Sequence, residues 1–506
     1  MFNKVMAMLL LPFLLLSASP VSAADKEMER WQDGAVYYIL VDRFLNGDGT
    51  NDNDVDLQNP NAYQGGDFKG IIEKLDYIKE MGFTTIALNP IYENAKDGYH
   101  GDWTLDFKKI NKHFGSLEDF KNLVQAAHDK NMKVIIDFNA NHVAAEHPWL
   151  SDAKKKDWFH AKADQQNIES KWMNGLPDLN QENPEVKAYL VDAAKWWINQ
   201  TDIDGYRLKD YQYISNDFWQ AFGKEVKSVK EDFILFGEIS PDQSGQDELY
   251  RNKYIDSFLD FSQMEAMSDI FARPDKKLDS LFTIWDWNEK NLHQPEYSSV
   301  MIDQADTVRF TKKASDQHQF PGTRWKMALT YMYTVPGIPT VYYGSEIALN
   351  GGETPENRKM MDFRTDKELI DYITELSELR NEYPALRKGT IKLLGKQDGM
   401  AVFERKTSDQ TILVAINNSS KTKTVKLDDT VIGKDKELRG RLAGNLVKSK
   451  EGELAITLER ETSEVFLVAD ESGINMMYIF VMVLVNILFF SFLYLAWKKG
   501  KQKKVN

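Results

Sequence analysis

The chain has no cysteine among its 506 residues. Disulfide frameworks, thiol-dependent catalysis and cysteine-ligated metal sites are therefore excluded. Positive charge is also scarce, because 63 Lys and Arg stand against 77 Asp and Glu and give a formal net charge of −14. A surface of this sign repels nucleic acid, so we expect no nucleic acid partner. The composition, 42% hydrophobic and 28% charged, is typical of a globular protein, and the length predicts two or three domains.

Long apolar runs lie at both ends of the chain. Residues 1–23 have the pattern of a signal peptide, in which Lys4 precedes the run AMLLLPFLLL and small residues precede the cleavage point. Residues 476–497 are free of charge and are long enough to cross a hydrocarbon core of about 30 Å as a transmembrane helix. The basic tail, residues 498–506, then lies in the cytoplasm by the positive-inside rule. The sequence thus predicts a single-pass protein of the cell membrane with its bulk outside the cell, in an oligomeric state that is left open.

Eight short runs rich in β-branched and aromatic residues alternate with amphipathic segments between residues 24 and 388: AVYYILVDRF, TTIALNP, KVIIDFNANH, DGYRLK, FILFGE, DSFLDF, VMIDQAD and IPTVYYG. This alternation predicts an α/β fold, a (β/α)₈ TIM barrel with its catalytic groups at the C-terminal ends of the strands. About 60 residues, His142 to Asp204, follow the third run without a simple helix pattern. A connection of this length predicts a small inserted domain at about 143–203.

After about Gly389 the pattern changes to short alternating strands: MAVFERK, QTILVAINN, TKTVKL, LAITLER and SEVFLVA. Alternation of this kind predicts a C-terminal antiparallel β-sandwich over residues 389–470. The transmembrane helix would follow it after a short linker.

Several motifs, in a fixed order, resemble those of the alpha-amylase family of glycoside hydrolases over about residues 30–470. The segment YQGGDFKGIIEKLDYIKEMGFTTIALNPIYEN is similar to the first barrel unit and second strand of that family; the later motifs are DFNANH, LPDLN, GYRLK, FGE, MIDQAD and GIPTVYYGSE. Motifs that occur together in order are far more specific than any one alone. The resemblance implies a glycosidase acting on α-1,4-glucans.

The resemblance also implies roles for individual residues. Glu238 takes the position of the acid/base, and Asp306 that of the carboxylate that stabilises the transition state. His100, His142, Arg207 and Arg358 take positions that contact the sugar at the cleavage point. Retaining glycosidases pair such an acid with a second carboxylate that acts as the nucleophile.

Three positions at that same sugar subsite depart from the family pattern. Lys209 stands at the nucleophile position, Ala305 replaces a histidine, and Asp102 replaces the tyrosine that stacks on the sugar. Gln212 and Tyr213 also replace a sugar-contacting lysine and histidine. Substrate contact on this side of the subsite is therefore in doubt.

An ammonium group is not a nucleophile, and its charge opposes an oxocarbenium-like transition state. We expect Lys209 to pair with Asp102, Glu238 or Asp306. Three groups are candidates to take over the missing role: Asp210, Asp102 as an alternative carboxylate, or a water activated by Asp306. Because side chains alternate along a strand, Asp210 is expected to face away from the barrel mouth.

Calcium is the one cofactor that the sequence predicts. The loop NGDGTNDND brings together side-chain oxygens that suit a hard cation, and the proposed ligand set is Asn46, Asp48, Asn51, Asp52, Gly65 and Asp67. An acidic solvated loop is the alternative. Asn141 and Asp178 match the second calcium position of the family. Both ions would order loops without taking part in bond cleavage.

Two interpretations of function follow. The first is an extracellular alpha-amylase-type hydrolase of starch and maltodextrins that works with altered catalytic residues. The second is a non-catalytic, membrane-tethered glucan-binding relative. Amylase-like heavy chains of amino-acid transporters form a third class, but these have an N-terminal span and a linking cysteine, whereas this chain has a predicted C-terminal span and no cysteine.

Overall fold

The barrel predicted from the eight apolar runs is confirmed. A computed structural model describes residues 31–52, 54–162, 175–239, 247–471 and 476–502, so the predicted signal peptide lies outside the described residues. Eight parallel strands close into a barrel in chain order: Val36–Ile39, Thr85–Leu88, Lys133–Asn139, Gly205–Lys209, Ile234–Ile239, Ser257–Asp260, Ser299–Val300 and Ile338–Tyr342. These strands are buried almost throughout, as expected where a barrel interior and a ring of helices cover both faces.

The connecting α-helices pack around the barrel. Those of the barrel region are Phe68–Glu73, Leu75–Glu80, Leu117–Asp129, Pro184–Thr201, Asn216–Val229, Asp247–Tyr250, Phe261–Phe271, Asp279–Asn291, Phe310–Asp316, Pro321–Thr334, Glu368–Glu382 and Pro384–Lys388. Helix Leu117–Asp129 shows how the sequence determines where such a helix begins and which of its faces is buried. Ser116 and Asp119 form a reciprocal capping box at its start, and its buried face carries Phe120, Leu123, Val124 and Ala127. A cap and an apolar stripe of helical period together begin and orient the helix.

The long connection after the third strand contains a regular helix. The prediction that this connection has no simple helix pattern is wrong in that part. Helix Pro184–Thr201 is capped by Asn183, has Pro at its first turn and buries Val186, Leu190, Ala193, Ala194, Trp197, Ile198 and Thr201. Most of the irregular residues that the structure describes in this connection lie before the helix. That part contains the short 3₁₀ helices Pro148–Ser151 and Ala153–Trp158 and isolated bridges from His142 to Asp178 and from Phe159 to Leu179.

The C-terminal antiparallel domain is also confirmed. Thr390–Gln397, Met400–Lys406, Thr411–Asn417, Thr462–Asp470, Lys436–Gly440 and Leu446–Lys448 form one sheet in that spatial order, and Lys423–Asp428 pairs with Glu453–Leu458 in a second. A separate apolar core joins the two sheets, with Val402 and Leu413 on one side and Val425 and Ile456 on the other. Sheet-on-sheet packing of this kind is a β-sandwich.

The last described element is the helix Met476–Gln502. Its segment Ile479–Trp497, 19 residues long, has a mean hydropathy of 2.6 and none of it is buried against the rest of the described chain. Among the described residues it is the helix that is long and apolar enough to cross a membrane.

Candidate active site

A cleft of about 720 Å³ contains most of the predicted site residues. His100, Asp102, His142, Lys209, Glu238, Asp306 and Arg358 all line it. Lys209 and Glu238 come from the fourth and fifth barrel strands, so the cleft lies where a TIM barrel holds its catalytic groups. Two further residues were predicted for catalysis or sugar binding. Arg207 is buried in contact with Glu238, and Ala305 is buried and directly precedes Asp306 in the chain. The structure thus brings all nine residues together.

Arg207 is held rigidly beneath Glu238. Its guanidinium donates to both carboxylate oxygens of Asp137 at 2.8 and 2.9 Å, and to the Tyr38 hydroxyl at 2.6 Å. The same group lies 3.8 Å from the centre of the Tyr38 ring and 3.5 Å from Glu238 Oε1. A bidentate pair of this kind fixes both position and orientation. Sequence reasoning missed Asp137 and Tyr38, although strand alternation places Asp137 two residues from Asn139 on the same face.

Glu238 has the properties of a general acid. Burial raises its pKa to about 7, against the opposing effect of Arg207 and Lys209, while Asp137 and Asp210 act in the same direction as burial. Its Oε1 is buried and has no hydrogen-bond partner among the described residues. A carboxyl group with a pKa near 7 is protonated often enough to donate and basic enough to accept the proton back. Glu238 can therefore serve as acid and then as base near neutral pH.

Lys209 pairs with two of the three carboxylates predicted for it. Its Nζ lies 2.7 Å from Asp102 Oδ1 and 3.8 Å from Asp306 Oδ2. Burial lowers the pKa of Lys209, but the carboxylates of Asp102 and Asp306 outweigh burial and hold it well above its usual value. Burial likewise acts to raise the pKa of Asp102, but Lys209 and His100 bring it well below its usual value. Lys209 is therefore a cation at neutral pH and cannot act as a nucleophile.

The remaining oxygen of Asp306 is bound by Arg358. The Arg358 guanidinium donates to Asp306 Oδ1 at 2.7 Å and to the Ala305 carbonyl at 2.9 Å. Asp306 is nonetheless about half exposed, with 52% of its side chain open to solvent. The four charged groups Asp102, Lys209, Asp306 and Arg358 thus form a continuous chain of alternating sign across the cleft.

Removing the lysine from this chain is expected to destabilise the protein. Lys209→Met leaves Asp102 largely buried without its main partner, a change that costs about 3 to 5 kcal/mol in buried pairs. The free energy of unfolding should fall accordingly in urea titrations. The double variant Lys209→Met with Asp102→Leu should recover most of the loss, because it removes both charges. An equal loss in both variants would mean that packing, rather than the ion pair, accounts for the effect.

Asp210 does not face away from the barrel mouth, so that expectation is wrong. It lines the cleft, and its Oδ2 lies 3.2 Å from His142 Nδ1. The strand ends at Lys209, and Asp210 adopts a left-handed conformation with φ 55° and ψ 25°. The two-residue alternation of a strand does not extend through such a turn. Gln212 and Tyr213 line the same cleft.

The first predicted calcium ligand set forms one loop cluster. Asn46 Nδ2 donates to Asp52 Oδ2 at 2.7 Å, Asp48 forms an ion pair with Lys69, and Asp67 accepts from three backbone amides. Asn51 Oδ1 and Asp52 Oδ1 are buried without hydrogen-bond partners. Gly65 has φ 93°, and a Cβ there would come within 2.6 Å of Asn46 and 2.8 Å of Asp52.

The second predicted set lies where the inserted segment meets the barrel. Asn141 and Asp178 are both nearly fully buried, and Asn141 Oδ1 and Asp178 Oδ1 have no hydrogen-bond partner. The other oxygen of Asp178 is bound by His160 at 2.5 Å. No group of three or more acidic or histidine side chains in the described part of the chain is arranged to hold a metal ion. Both predicted sets combine carboxylate with amide oxygens.

Comparison with known proteins agrees with this geometry. The family described as "Alpha amylase, catalytic domain" matches residues 38–368, and "Alpha-amylase C-terminal domain" matches residues 389–466. A beta/alpha-amylase of Paenibacillus polymyxa is 33% identical to this chain. The match covers 86% of this chain but only 38% of the relative. The chain is 32% identical to a cyclomaltodextrinase of Thermoanaerobacter pseudethanolicus, covering 82% of this chain and 75% of the relative.

Solved structures give the same assignment. An Anoxybacillus alpha-amylase superposes with a TM-score of 0.84 at 52% identity, covering 88% of this chain and 99% of the other. An alpha-amylase of Geobacillus thermoleovorans, solved in complex with acarbose, superposes with a TM-score of 0.82 at 49% identity, covering 87% and 99%. The family matches extend over the barrel and the C-terminal antiparallel domain. The chain therefore belongs to the alpha-amylase family of glycoside hydrolases.

Proposed function

We propose that the chain is an extracellular, membrane-tethered alpha-amylase-type hydrolase of α-1,4-glucans that works without a carboxylate at position 209. Glu238 is the observation that carries the proposal. It combines a pKa raised to about 7 by burial, a buried oxygen that accepts no hydrogen bond from the described residues and a place in a cleft of about 720 Å³. A chain that only bound glucan would have no chemical use for a buried carboxylic acid kept in this state.

The other cleft residues have defined roles in this proposal. Arg207 holds Glu238 in place, and Asp306 with Arg358 offers a carboxylate and donors to sugar hydroxyls. Lys209 and Asp102 neutralise each other, so the subsite next to Glu238 does not carry an isolated positive charge against the oxocarbenium-like transition state. The test is hydrolysis of starch and maltoheptaose by the purified full-length chain in detergent, beside its Glu238→Gln variant.

The ion pair of Lys209 with Asp102 favours a second candidate function. A cation fixed at the nucleophile position removes the covalent step, and a cleft without that step can still bind sugar. Under this alternative the chain is a membrane-tethered glucan-binding protein without turnover. Glucan affinity that persists without any Glu238-dependent hydrolysis would support it.

The C-terminal helix is the proposed membrane anchor. Its apolar segment Ile479–Trp497 ends at a tryptophan, a residue favoured at membrane interfaces, and lysines follow at once in the sequence. We therefore expect the barrel outside the cell and the tail in the cytoplasm. Protease added to intact cells should release a large soluble fragment that carries the barrel. A barrel that stays intact until the cells are lysed would contradict this topology.

Calcium is proposed at both ligand sets. Each set has buried oxygens without hydrogen-bond partners, and in the first set Asn46 and Asp52 lie so close to Gly65 that a Cβ there would clash with them. Ca²⁺ takes six to eight oxygens, with amide and carboxylate groups mixed. Asn46, Asp48, Asn51, Asp52 and Asp67 would hold one ion, and Asn141 with Asp178 the other. The ions would supply rigidity to loops next to the cleft.

Calcium should therefore stabilise the native chain. An ion that binds only the folded state adds about 2.7 kcal/mol at 100 times its Kd, so Tm should rise with calcium and fall with chelator. Asp52→Ala should reduce the calcium-dependent rise. Asp54→Ala, a change in the same loop outside the ligand set, should leave the rise intact. A Tm that does not respond to chelator would refute the calcium assignment.

A further inference from the structure

The missing nucleophile raises the question of which group activates water, and this inference rests on the proposed hydrolase function. Besides Glu238, the cleft contains four carboxylates: Asp102, Glu146, Asp210 and Asp306. Two of them are bound by strong cations. Asp102 is paired with Lys209, and Asp306 is paired with Arg358 and also faces Lys209. Oxygens of both carboxylates are therefore already engaged by cations.

Asp210 is placed differently from these two. Within the described residues no lysine or arginine lies at ion-pair distance from it, and its contact is with His142 Nδ1 at 3.2 Å. The side-chain amide of Asn139 lies 2.9 Å from His142 Nε2 and holds the ring. Asp210 therefore faces a histidine ring rather than a lysine or arginine. Of the Asp210 side chain, 21% is open to solvent.

The left-handed turn at Asp210 explains how a carboxylate reaches this position. Lys209 is the last residue of its strand, and Asp210 follows at φ 55°, a conformation that aspartate tolerates better than most residues. The carboxylate therefore lies one residue beyond the nucleophile position, on the same strand end. In inverting glycosidases the base stands farther from the acid than a nucleophile does, about 6.5–9.5 Å against about 5–5.5 Å, because a water must fit between the base and the anomeric carbon.

We propose that Asp210 is the general base of a single-displacement, inverting hydrolysis in which Glu238 is the general acid. A water loses a proton to Asp210, and its oxygen forms a bond to the anomeric carbon. The bond from that carbon to the leaving oxygen breaks, and the leaving oxygen takes the proton of Glu238. One water is consumed, and the new reducing end is formed as the β-anomer. Asp306 and the pair of Asp102 with Lys209 bind sugar hydroxyls and do not change protonation.

The configuration of the first product tests the proposal on the unaltered protein. The full-length chain in detergent is incubated with maltoheptaose, and the anomeric protons of newly formed ends are followed by NMR before mutarotation. The expected result is initial accumulation of the β-anomer. Initial accumulation of the α-anomer would overturn the proposal while leaving the proposed hydrolase function intact. Absence of hydrolysis would overturn both.

The Asp210→Asn variant tests whether Asp210 is the general base. We expect kcat to fall by about 10²- to 10⁴-fold, the range typical of a lost acid or base, with glucan affinity little changed. Asp217→Asn, an exposed aspartate on the next helix, should behave as wild type. Sodium formate should restore part of the hydrolysis in Asp210→Gly, because a small carboxylate can occupy the vacated space. A β-product from a fully active Asp210→Asn would exclude Asp210 as the base.

Discussion

Lys209→Asp combined with Asp102→Tyr is expected to raise hydrolysis of maltoheptaose by about 10³-fold or more, the scale on which loss of a covalent nucleophile lowers kcat. The variant supplies a carboxylate at the nucleophile position and an aromatic ring at the position of Asp102. The new carboxylate would lie at the end of the fourth barrel strand, beside Glu238 on the fifth. The product should then change to the α-anomer, because a covalent intermediate leads to retention.

The single variant Lys209→Asp should gain less. It would place a new carboxylate among Asp102 and Asp306, which now face the lysine, and neighbouring like charges raise one another's pKa. Ala305 also limits the gain, since it carries no donor for the sugar. Lys209→Asn is the matched control, because it removes the cation without adding a nucleophile. If hydrolysis falls in both Lys209→Asp and the double variant, the lysine itself supports catalysis by positioning Asp102.

Glu238→Gln should lower kcat by about 10²- to 10⁴-fold. The amide keeps the size of the side chain and its contact with Arg207 but cannot donate a proton to the leaving oxygen. The pH dependence follows from the pKa of about 7. The protonated form is the active one, so kcat/KM should fall about tenfold for each pH unit above that value.

Glu238→Asp is the companion variant, since it keeps a carboxyl group but moves it back by one methylene. It should retain partial activity, and its kcat/KM should fall at high pH as in the wild type. Arg207 opposes the effect of burial on the pKa of Glu238. We therefore expect the Arg207→Lys variant to shift the fall of kcat/KM at high pH relative to wild type. The pH profile therefore reports on the acid more specifically than the loss of rate.

Most of the barrel was predictable because its signal is local. Each of the eight strands corresponds to an apolar run that is buried on both faces, and alternation with amphipathic segments limits such runs to very few folds. Helix Pro184–Thr201 carried the same kind of signal. Its buried residues recur at helical spacing after an Asn-Pro start, but the length of the whole connection obscures this local pattern.

The pairing of Lys209 was predictable from charge alone, and the direction of Asp210 was not. A buried cation among carboxylates must find a partner, so contact with Asp102 or Asp306 follows once the motifs place them in one cleft. Side chains alternate only within a strand. The fourth strand ends at Lys209, so Asp210 already lies in the turn and its direction does not follow from alternation. Asp137 and Tyr38 were missed because their function is to hold Arg207, a contact across two strands that no local pattern reveals.

The central claim is that this site turns over glucan through Glu238, and the release of reducing ends from maltoheptaose tests it most directly. Purified full-length wild type and Glu238→Gln are assayed in parallel at high enzyme concentration, so that a contaminating amylase would appear equally in both. We predict slow release by the wild type and at least about a 10²-fold slower release by the variant. No release by the wild type, or equal release by the two proteins, would contradict the claim.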